Sequence, residues 1–260
     1  MSLKLISLAS GSKGNCALIY SDTTAILCDA GISYTRIVNS LRQVGFSLCD
    51  LSGVVITHEH SDHICALPKI TPTVPVYAHP MTAKAIYERQ GVLMNYKSQD
   101  FYENGFMIGD IAVTPFRIPH DAEYPLGYTF QCEGSRVSIA TDMGYPTNGV
   151  FNNIKDSQVV LLESNHDVEM LVTGNYAPKL KQRILSKNGH LSNDMAAVIA
   201  ERLTEGKTHT LVLGHLSENN NMPGLALDVV AGRLSKMGSD IKVTVALQHE
   251  ISEVFEAYEK

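Results

Sequence analysis

Short runs of apolar and β-branched residues, separated by polar turns, recur along most of the chain. Each run predicts a strand: 4–9, 16–20, 25–29, 53–57, 75–79, 106–108, 111–118, 126–133, 136–142, 158–164, 208–214 and 240–247. Apolar residues spaced three or four apart predict helices at 33–45, 81–91, 178–187, 192–205 and 223–237. Two strand-rich parts, each followed by helices, predict an α/β fold in which one sheet packs on another and the helices lie outside. With no linker and no repeat of fixed period, we expect one domain over residues 1–260.

Length and charge narrow the classes of protein. The chain has 260 residues, of which 44% are hydrophobic, so it can bury a large core. Charged residues make up 18% and no low-complexity tract is present, which argues against disorder. The formal net charge of −6 excludes a protein that coats nucleic acid or anionic lipid with its whole surface, but it permits a local basic strip.

The cysteines and the N-terminal sequence indicate the cellular location of the protein. The five cysteines are odd in number and show no C-x-x-C spacing, which disfavours both a disulfide framework and a thiolate zinc site. The apolar stretch after Met1 is too short for a signal peptide, and no apolar run reaches the roughly 18 residues that cross a bilayer. We therefore expect a cytoplasmic protein without a membrane partner.

A polar cluster directly follows the strand at 53–57 and carries the strongest chemical signal. It reads His58-Glu59-His60-Ser61-Asp62-His63, with three imidazoles and a carboxylate within six residues. His58 and His60 alternate and can point at one centre, while Asp62 and His63 can reach a second centre close by. Catalytic zinc sites use such nitrogen and oxygen ligands and leave positions for water. A solvated loop is the alternative interpretation, and three histidines at this spacing make it improbable.

Three further polar residues follow predicted strands in the same way. They are His120, Asp142 and His215. Alone, each is more often a turn residue or a satisfied polar side chain, but together with the cluster they supply the ligands that two metal ions need. Asp142 is the natural bridge, because one carboxylate can give an oxygen to each ion.

The order His-x-His-x-Asp-His, followed by a distant His, an Asp and a final His, resembles the metallo-β-lactamase superfamily over nearly the whole chain. The resemblance implies a four-layer αββα sandwich of two mixed β-sheets flanked by helices. It also implies one metal bound by His58, His60, His120 and Asp142, and a second bound by Asp62, His63, His215 and Asp142. Asp29 would accept a hydrogen bond from a ligand imidazole. Its alternative role is a turn or cap residue before the helix near residue 33.

The second half of the chain is similar to phosphodiesterase and nuclease branches of this superfamily. The segments Glu163-Ser164-Asn165-His166-Asp167, Gly189-His190-Leu191-Ser192-Asn193 and Leu213-Gly214-His215 carry this likeness. With the loop 10–15, they look most like the small bacterial YycJ/WalJ-like exonuclease branch. The implied reaction is hydrolysis of a phosphodiester by a dinuclear metal centre. Asp62 would orient the attacking hydroxide, and His190 would act as general acid, unless it is simply a residue near a helix start.

Contacts to the substrate are weaker predictions. The Gly-rich loop 10–15 presents Lys13 and Asn15, and His166 lies either on the substrate rim or on the remaining surface. Lys179, Lys181, Arg183 and Lys187 form the best local strip for phosphate contacts on an acidic protein, although a solvated helix face is equally expected.

The favoured function is a metal-dependent DNA exonuclease with two divalent ions, either zinc or manganese or iron. The alternatives are a phosphodiesterase for small molecules or cyclic nucleotides, a thioesterase or glyoxalase-type hydrolase, and a non-catalytic metal-binding protein that keeps the fold. DNA is the expected substrate partner. The sequence identifies no protein partner and leaves homo-oligomerisation open.

Overall fold

The computed structural model describes residues 2–92 and 105–258. The predicted strands are present, with ends shifted by no more than two residues. The strands are β1 (Leu3–Ala9), β2 (Cys16–Tyr20), β3 (Ala25–Cys28), β4 (Leu51–Val55), β5 (Val76–Tyr77), β6 (Phe106–Ile108), β7 (Ile111–Arg117), β8 (Leu126–Cys132), β9 (Ser135–Ala140), β10 (Val159–Glu163), β11 (Thr210–Gly214), β12 (Lys242–Val245) and β13 (Phe255–Ala257). The sequence pattern does not predict the last of these, β13.

The helices are α1 (Tyr34–Gln43), α2 (Ser61–Ile64), α3 (Leu67–Ile70), α4 (Pro80–Gln90), α5 (Asn148–Ile154), α6 (Val168–Thr173), α7 (Pro178–Ile184), α8 (Asn193–Leu203) and α9 (Pro223–Lys236). The five predicted helices are α1, α4, α7, α8 and α9. The helix expected over 178–187 ends at Ile184, because the chain then turns towards Gly189, whose amide donates to the carbonyl of Ser186. The pattern does not predict four short helices, α2, α3, α5 and α6.

The strands form two mixed sheets. The first has the order β13-β1-β2-β3-β4-β5, and the second has the order β12-β11-β10-β9-β8-β7-β6. In the first sheet β3, β4 and β5 run parallel, and in the second β9, β10, β11 and β12 run parallel. Because parallel strands end at the same edge, each sheet presents several strand ends side by side.

Apolar side chains from both sheets share one middle layer. This shared core includes Leu5 and Ile26 from the first sheet together with Val113 and Phe130 from the second, all fully buried. Tyr128 on β8 adds a polar link, because its hydroxyl donates to the carbonyl of Ile56, just after β4, at 2.8 Å. The two sheets are therefore packed face to face over a continuous apolar interior.

Helices cover the outer face of each sheet. The first sheet's outer core includes Ile37 and Leu41 of α1 and Ile86 of α4, and the second sheet's includes Ala197 of α8 and Val230 of α9. The four-layer αββα architecture expected from the resemblance is confirmed. Among the described residues, no helix has the length and apolar character needed to cross a membrane.

The shared core predicts that the whole chain unfolds as one domain. Phe130→Ala should lower the free energy of unfolding by about 3–5 kcal/mol, the usual cost of removing a buried aromatic ring. Far-UV and near-UV circular dichroism should then report one coincident transition, shifted to lower denaturant in the variant. Two separate transitions, with only one of them shifted, would show that the sheets belong to independent domains.

Candidate metal centre

Polar side chains gather where strands of both sheets end at one edge of the sandwich. Three of them have a left-handed backbone: Asp29 after β3 (φ 62°), Asp142 after β9 (φ 59°) and His215 after β11 (φ 54°). Such a conformation is uncommon for residues other than glycine and costs on the order of 1–3 kcal/mol each, and Asp and His tolerate it better than bulky residues. The backbone amides of Asp29 and His215 are held by Val55 O and Ser10 Oγ. The fold therefore fixes these turns and points their side chains at one place.

The His58–His63 segment leaves β4 and curls into α2. Two loops hold its backbone by hydrogen bonds: Asp62 O accepts from Asn15 N at 2.8 Å, and His63 O accepts from Ala30 N at 2.8 Å. A Cβ on residue 31 would overlap the carbonyl oxygen of Asp62, so Gly31 is the residue that permits this close approach. The absence of a side chain at residue 31 thus helps to set the position of Asp62 and His63.

His58, His60 and His120 bring one ring nitrogen each to a common point. The three nitrogens lie within 4.8 Å of one another. His60 Nδ1 is 3.3 Å from His120 Nε2, and the other nitrogen of His120, Nδ1, lies 3.1 Å from the carbonyl oxygen of Gly189. A three-imidazole set of this kind is one of the protein ligand sets of catalytic zinc.

Asp62, His63 and His215 form a second group beside the first, again with ligand atoms within 4.8 Å. Asp62 Oδ2 lies 3.5 Å from the Nε2 atoms of both histidines. Asp142 lies between the two groups, because its Oδ2 is 3.2 Å from His63 Nε2 and its Oδ1 is 3.7 Å from His120 Nε2. The structure thus brings together all seven residues that the sequence nominated as ligands.

A buried carboxylate, Asp29, holds the outward nitrogen of one candidate ligand imidazole, His63. His63 Nδ1 lies 2.7 Å from Asp29 Oδ2, and Thr57 Oγ1 donates to the same carboxylate at 2.9 Å. Asp29 therefore contacts a candidate ligand imidazole. It is not the cap of α1: the N-cap is Ser33, whose side chain accepts from Arg36 N. A hydrogen bond of this kind fixes which nitrogen faces the metal.

Glu163 at the end of β10 is a residue of the site to which the sequence assigned no role, although it begins one of the segments that carry the nuclease likeness. Its Oε1 accepts from His215 Nδ1 and from His190 Nδ1, both at 2.8 Å. Its Oε2 accepts from the amides of Met143 and Leu191. The available signal was an acidic residue ending a fully buried strand, where an ionised side chain needs several partners.

His190 lies beside the second group, with 14% of its side chain exposed and Nδ1 3.8 Å from Asp142 Oδ1. Its Nδ1 is bound by Glu163, so Nε2 is the nitrogen left for a substrate. The helix that follows, α8, has Ser192 as its N-cap, and the Ser192 side chain accepts from Met195 N. His190 itself precedes the helix.

Burial and charge act differently on the two groups of histidines. Burial holds the pKa of His58, His60 and His120 below the usual value, so these rings stay neutral, the form that binds metals. Burial also opposes protonation of His215, but the carboxylates of Asp142, Asp62 and Glu163 raise its pKa to about 10. The second group therefore has an excess of negative charge that favours a bound cation.

The donor set fits divalent metal ions. Among the described residues, His58 Nε2, His215 Nε2 and Asp142 Oδ2 are buried without a hydrogen-bond partner. Leaving buried polar atoms unpaired costs free energy, and a cation at the meeting point of these lone pairs would remove that cost. Imidazole nitrogens and carboxylate oxygens suit zinc, manganese and iron, so the chemistry of the site matches the implied cofactor.

The residues predicted to touch substrate are more scattered. Asn15 lies at the site but is turned onto its own loop, exchanging hydrogen bonds with Gly11, and its Nδ2 is 3.2 Å from His63 Nε2. Lys13 is exposed and pairs with Glu218. His166 is only 1% exposed, so its expected place on the surface is wrong, and its backbone forms a parallel bridge with Ser192.

The cations of the predicted basic strip, on α7 and just after it, do not all have the same surroundings. The ammonium of Lys181 donates to the carbonyl of Val172 on α6, whereas Arg183 makes two hydrogen bonds to Asp121, the neighbour of His120. Lys179 and Lys187 are exposed. The four cations therefore do not share one surface facing the candidate metal ligands.

Glu163→Gln should weaken metal binding about 10–100-fold. The amide lacks the negative charge that His190 and His215 contact, and its NH2 group cannot accept from the amides of Met143 and Leu191. Competition with a chromogenic chelator measures this change. Glu201→Gln, which alters a surface carboxylate paired with Arg233, is the matched control and should bind metal like the wild type. Equal affinity in both variants would contradict the role assigned to Glu163.

Comparison with known proteins agrees with this architecture. Residues 24–216 match the Beta-lactamase superfamily domain. The chain is 36% identical to a protein named Exodeoxyribonuclease YycJ from Bacillus anthracis, over 92% of this chain and 91% of that one. It is 35% identical to a protein named Exodeoxyribonuclease WalJ from Streptococcus pneumoniae, over 91% of each chain.

A solved structure gives the same result for the fold. The metallo-β-lactamase fold protein YhfI from Bacillus subtilis superposes with a TM-score of 0.73 at 15% identity, covering 98% of this chain and 100% of that one. The domain match and the two relatives extend over the strands and turns that carry the His and Asp groups. The chain therefore belongs to the metallo-β-lactamase superfamily and is a metal-dependent hydrolase, similar in sequence to the YycJ and WalJ proteins.

Proposed function

We propose that this protein is a metal-dependent exodeoxyribonuclease that hydrolyses phosphodiester bonds from the ends of DNA. The observation that carries the proposal is the pair of His/Asp groups with Asp142 between them and the His190–Glu163 pair beside them. The two relatives at 35–36% identity, both named exodeoxyribonucleases, support the same substrate class. Five free cysteines support a cytoplasmic location, where thiols stay reduced.

The proposed centre holds two divalent ions. His58, His60 and His120 would bind one ion, Asp62, His63 and His215 would bind the other, and Asp142 would bind both. When bound, two such ions stabilise the charge that develops on a phosphoryl group and lower the pKa of water to near neutrality. Side chains of the protein orient the water and protonate the departing oxygen.

Asp62 orients the attacking water. It is the most exposed carboxylate of the centre, with 24% of its side chain accessible, whereas Asp142 is 4% exposed and Glu163 is fully buried. Solvent and substrate can therefore reach Asp62 first. Its oxygen accepts a hydrogen bond from water and directs the water's lone pair at the phosphorus.

His190 supplies the proton to the departing oxygen. Its Nδ1 proton is held by Glu163, so a second proton can reside only on Nε2, which is the atom that faces a substrate. The Glu163 carboxylate stabilises the imidazolium before transfer and fixes the ring orientation. DNA has an alkoxide leaving group of high basicity, so protonation contributes directly to its cleavage.

Degradation of end-labelled duplex DNA, with and without a 5′-phosphate, tests the proposal. Metal-depleted protein resupplied with Mn²⁺ or Zn²⁺ should shorten DNA stepwise, and Asp62→Ala should lower the rate on the order of 10³-fold through loss of water orientation. Asp228→Ala, an exposed carboxylate on α9, is the control and should keep full activity. Far-UV circular dichroism checks that both variants are folded.

Two results would contradict the proposal. Intact DNA alongside cleavage of a simple aryl phosphodiester would indicate a phosphodiesterase for small molecules. Activity that survives Asp62→Ala would exclude a mechanism in which Asp62 orients the water.

The leaving-group dependence tests His190 separately. His190→Gln should slow DNA hydrolysis about 10²–10⁴-fold, because the alkoxide then departs without a proton. The same change should slow bis(p-nitrophenyl) phosphate hydrolysis far less, because p-nitrophenolate is a weak base. Measuring both rates on one preparation provides the comparison, and equal losses on both substrates would remove His190 from the general-acid role.

A further inference from the structure

Arg183 is the cation of helix α7 that is joined to the candidate metal centre. Its Nε and one terminal nitrogen donate to the two carboxylate oxygens of Asp121 at 2.5 and 2.9 Å. Asp121 Oδ1 in turn lies 3.4 Å from Nε2 of His120, the nitrogen that faces the other imidazoles. A single carboxylate therefore separates the guanidinium from a proposed metal ligand.

The ion pair with Asp121 leaves N–H donors of Arg183 that can bind an anion. A guanidinium carries five N–H donors, and the contact with Asp121 uses two of them. Nearly half of the side chain, 46%, is exposed, so the remaining donors are open to solvent. Asp121 fixes the plane of the guanidinium, and Arg183 cancels a negative charge that would otherwise repel an anion approaching the centre.

Lys179 lies on the same face of α7 as Arg183. The two residues are four positions apart in one helix, which places them one above the other, about 6 Å apart along the axis. Lys181 lies on a different face, and its ammonium donates to the carbonyl of Val172. The two cations in register therefore form a short basic track on one face of α7, and its Arg183 end is joined through Asp121 to His120.

We infer that Arg183 is a phosphate-binding residue: it binds the phosphate next to the scissile one, and Lys179 binds a further phosphate of the same single strand of DNA. This inference rests on the proposed nuclease function and names the part of the protein that holds the polymer. Phosphates in a strand are regularly spaced anions, and a pair of cations about 6 Å apart along the helix, on a protein of net negative charge, complements two of them. Lys181 has no part in the track.

Kinetics with two substrates tests the assignment on the metal-loaded enzyme. Arg183→Gln should raise KM for a short single-stranded oligonucleotide about tenfold, the usual effect of losing a charge-assisted hydrogen bond, while kcat changes less than threefold. The ratio of kcat/KM for the oligonucleotide to that for bis(p-nitrophenyl) phosphate should fall by the same factor, because the aryl diester has only one phosphate. A purely structural role would lower both activities together.

Four further variants provide the comparisons. Arg183→Lys keeps the charge but not the two-point contact, and it should recover part of the loss. Lys179→Gln should raise KM by a smaller factor than Arg183→Gln. Lys181→Gln should change KM less than twofold, as should Lys236→Gln on the remote helix α9.

Salt dependence provides a second readout. The Asp62→Ala background slows cleavage on the order of 10³-fold, so binding of a fluorescent single-stranded oligonucleotide can be followed by anisotropy from low to high salt. Arg183→Gln and Lys179→Gln should each reduce the slope of log Kd against log salt by about 0.7, the value for one phosphate contact to a single strand. Lys181→Gln should leave the slope unchanged.

The outcomes separate this inference from the proposed function. If the wild type shortens DNA but Arg183→Gln and Lys179→Gln behave like Lys181→Gln, the track is wrong and the nuclease proposal stands. If Lys181→Gln matches Lys179→Gln in both readouts, binding follows the total charge of the helix, and the directed track is again wrong. If the wild type leaves DNA intact, the nuclease proposal and this inference both fail.

Discussion

Ionised carboxylates placed among imidazoles, away from water, constrain this protein more than any other feature. Asp29, Asp142 and Glu163 are each buried, and an isolated charge in such a place would be very costly. Histidine nitrogens lie against all three, and backbone amides also donate to Asp29 and Glu163. Each charge is tolerated because of these partners and because the cluster as a whole favours a cation. The side chains that serve the chemistry also neutralise one another, so the site and the stability of its surroundings depend on the same contacts.

The fold meets this constraint by ending strands of both sheets at one edge. Three strand ends adopt a left-handed backbone, which is unfavourable locally and is compensated by the packed sandwich behind it. Gly31 lets one loop approach the carbonyl of Asp62, and Glu163 ties His190 to His215 through a single oxygen. Rigid strand ends, rather than long mobile loops, therefore set the distances between the candidate ligands.

Much of this could be predicted from the sequence, because the signals are local. Alternating and continuous apolar runs predict the strands that carry the site, and the cluster His58–His63 lies within six residues. The remaining parts depend on distant contacts. Strand β13 has three residues and is fixed by pairing with β1 across the chain, and Glu163 reads as an ordinary strand end until its four partners are brought together. The burial of His166 and the hydrogen bond from Lys181 to the carbonyl of Val172 depend on neighbouring segments that no local pattern reveals.

The central claim is that the two His/Asp groups hold two divalent ions that share Asp142. Native mass spectrometry of the metal-reconstituted protein counts these ions directly, and His120→Ala provides the comparison because it removes a ligand from one group only. Two ions per chain in the wild type, with one lost at limiting metal in His120→Ala, is the predicted result. A wild-type protein that binds one ion or none while its ligands are intact would contradict the claim.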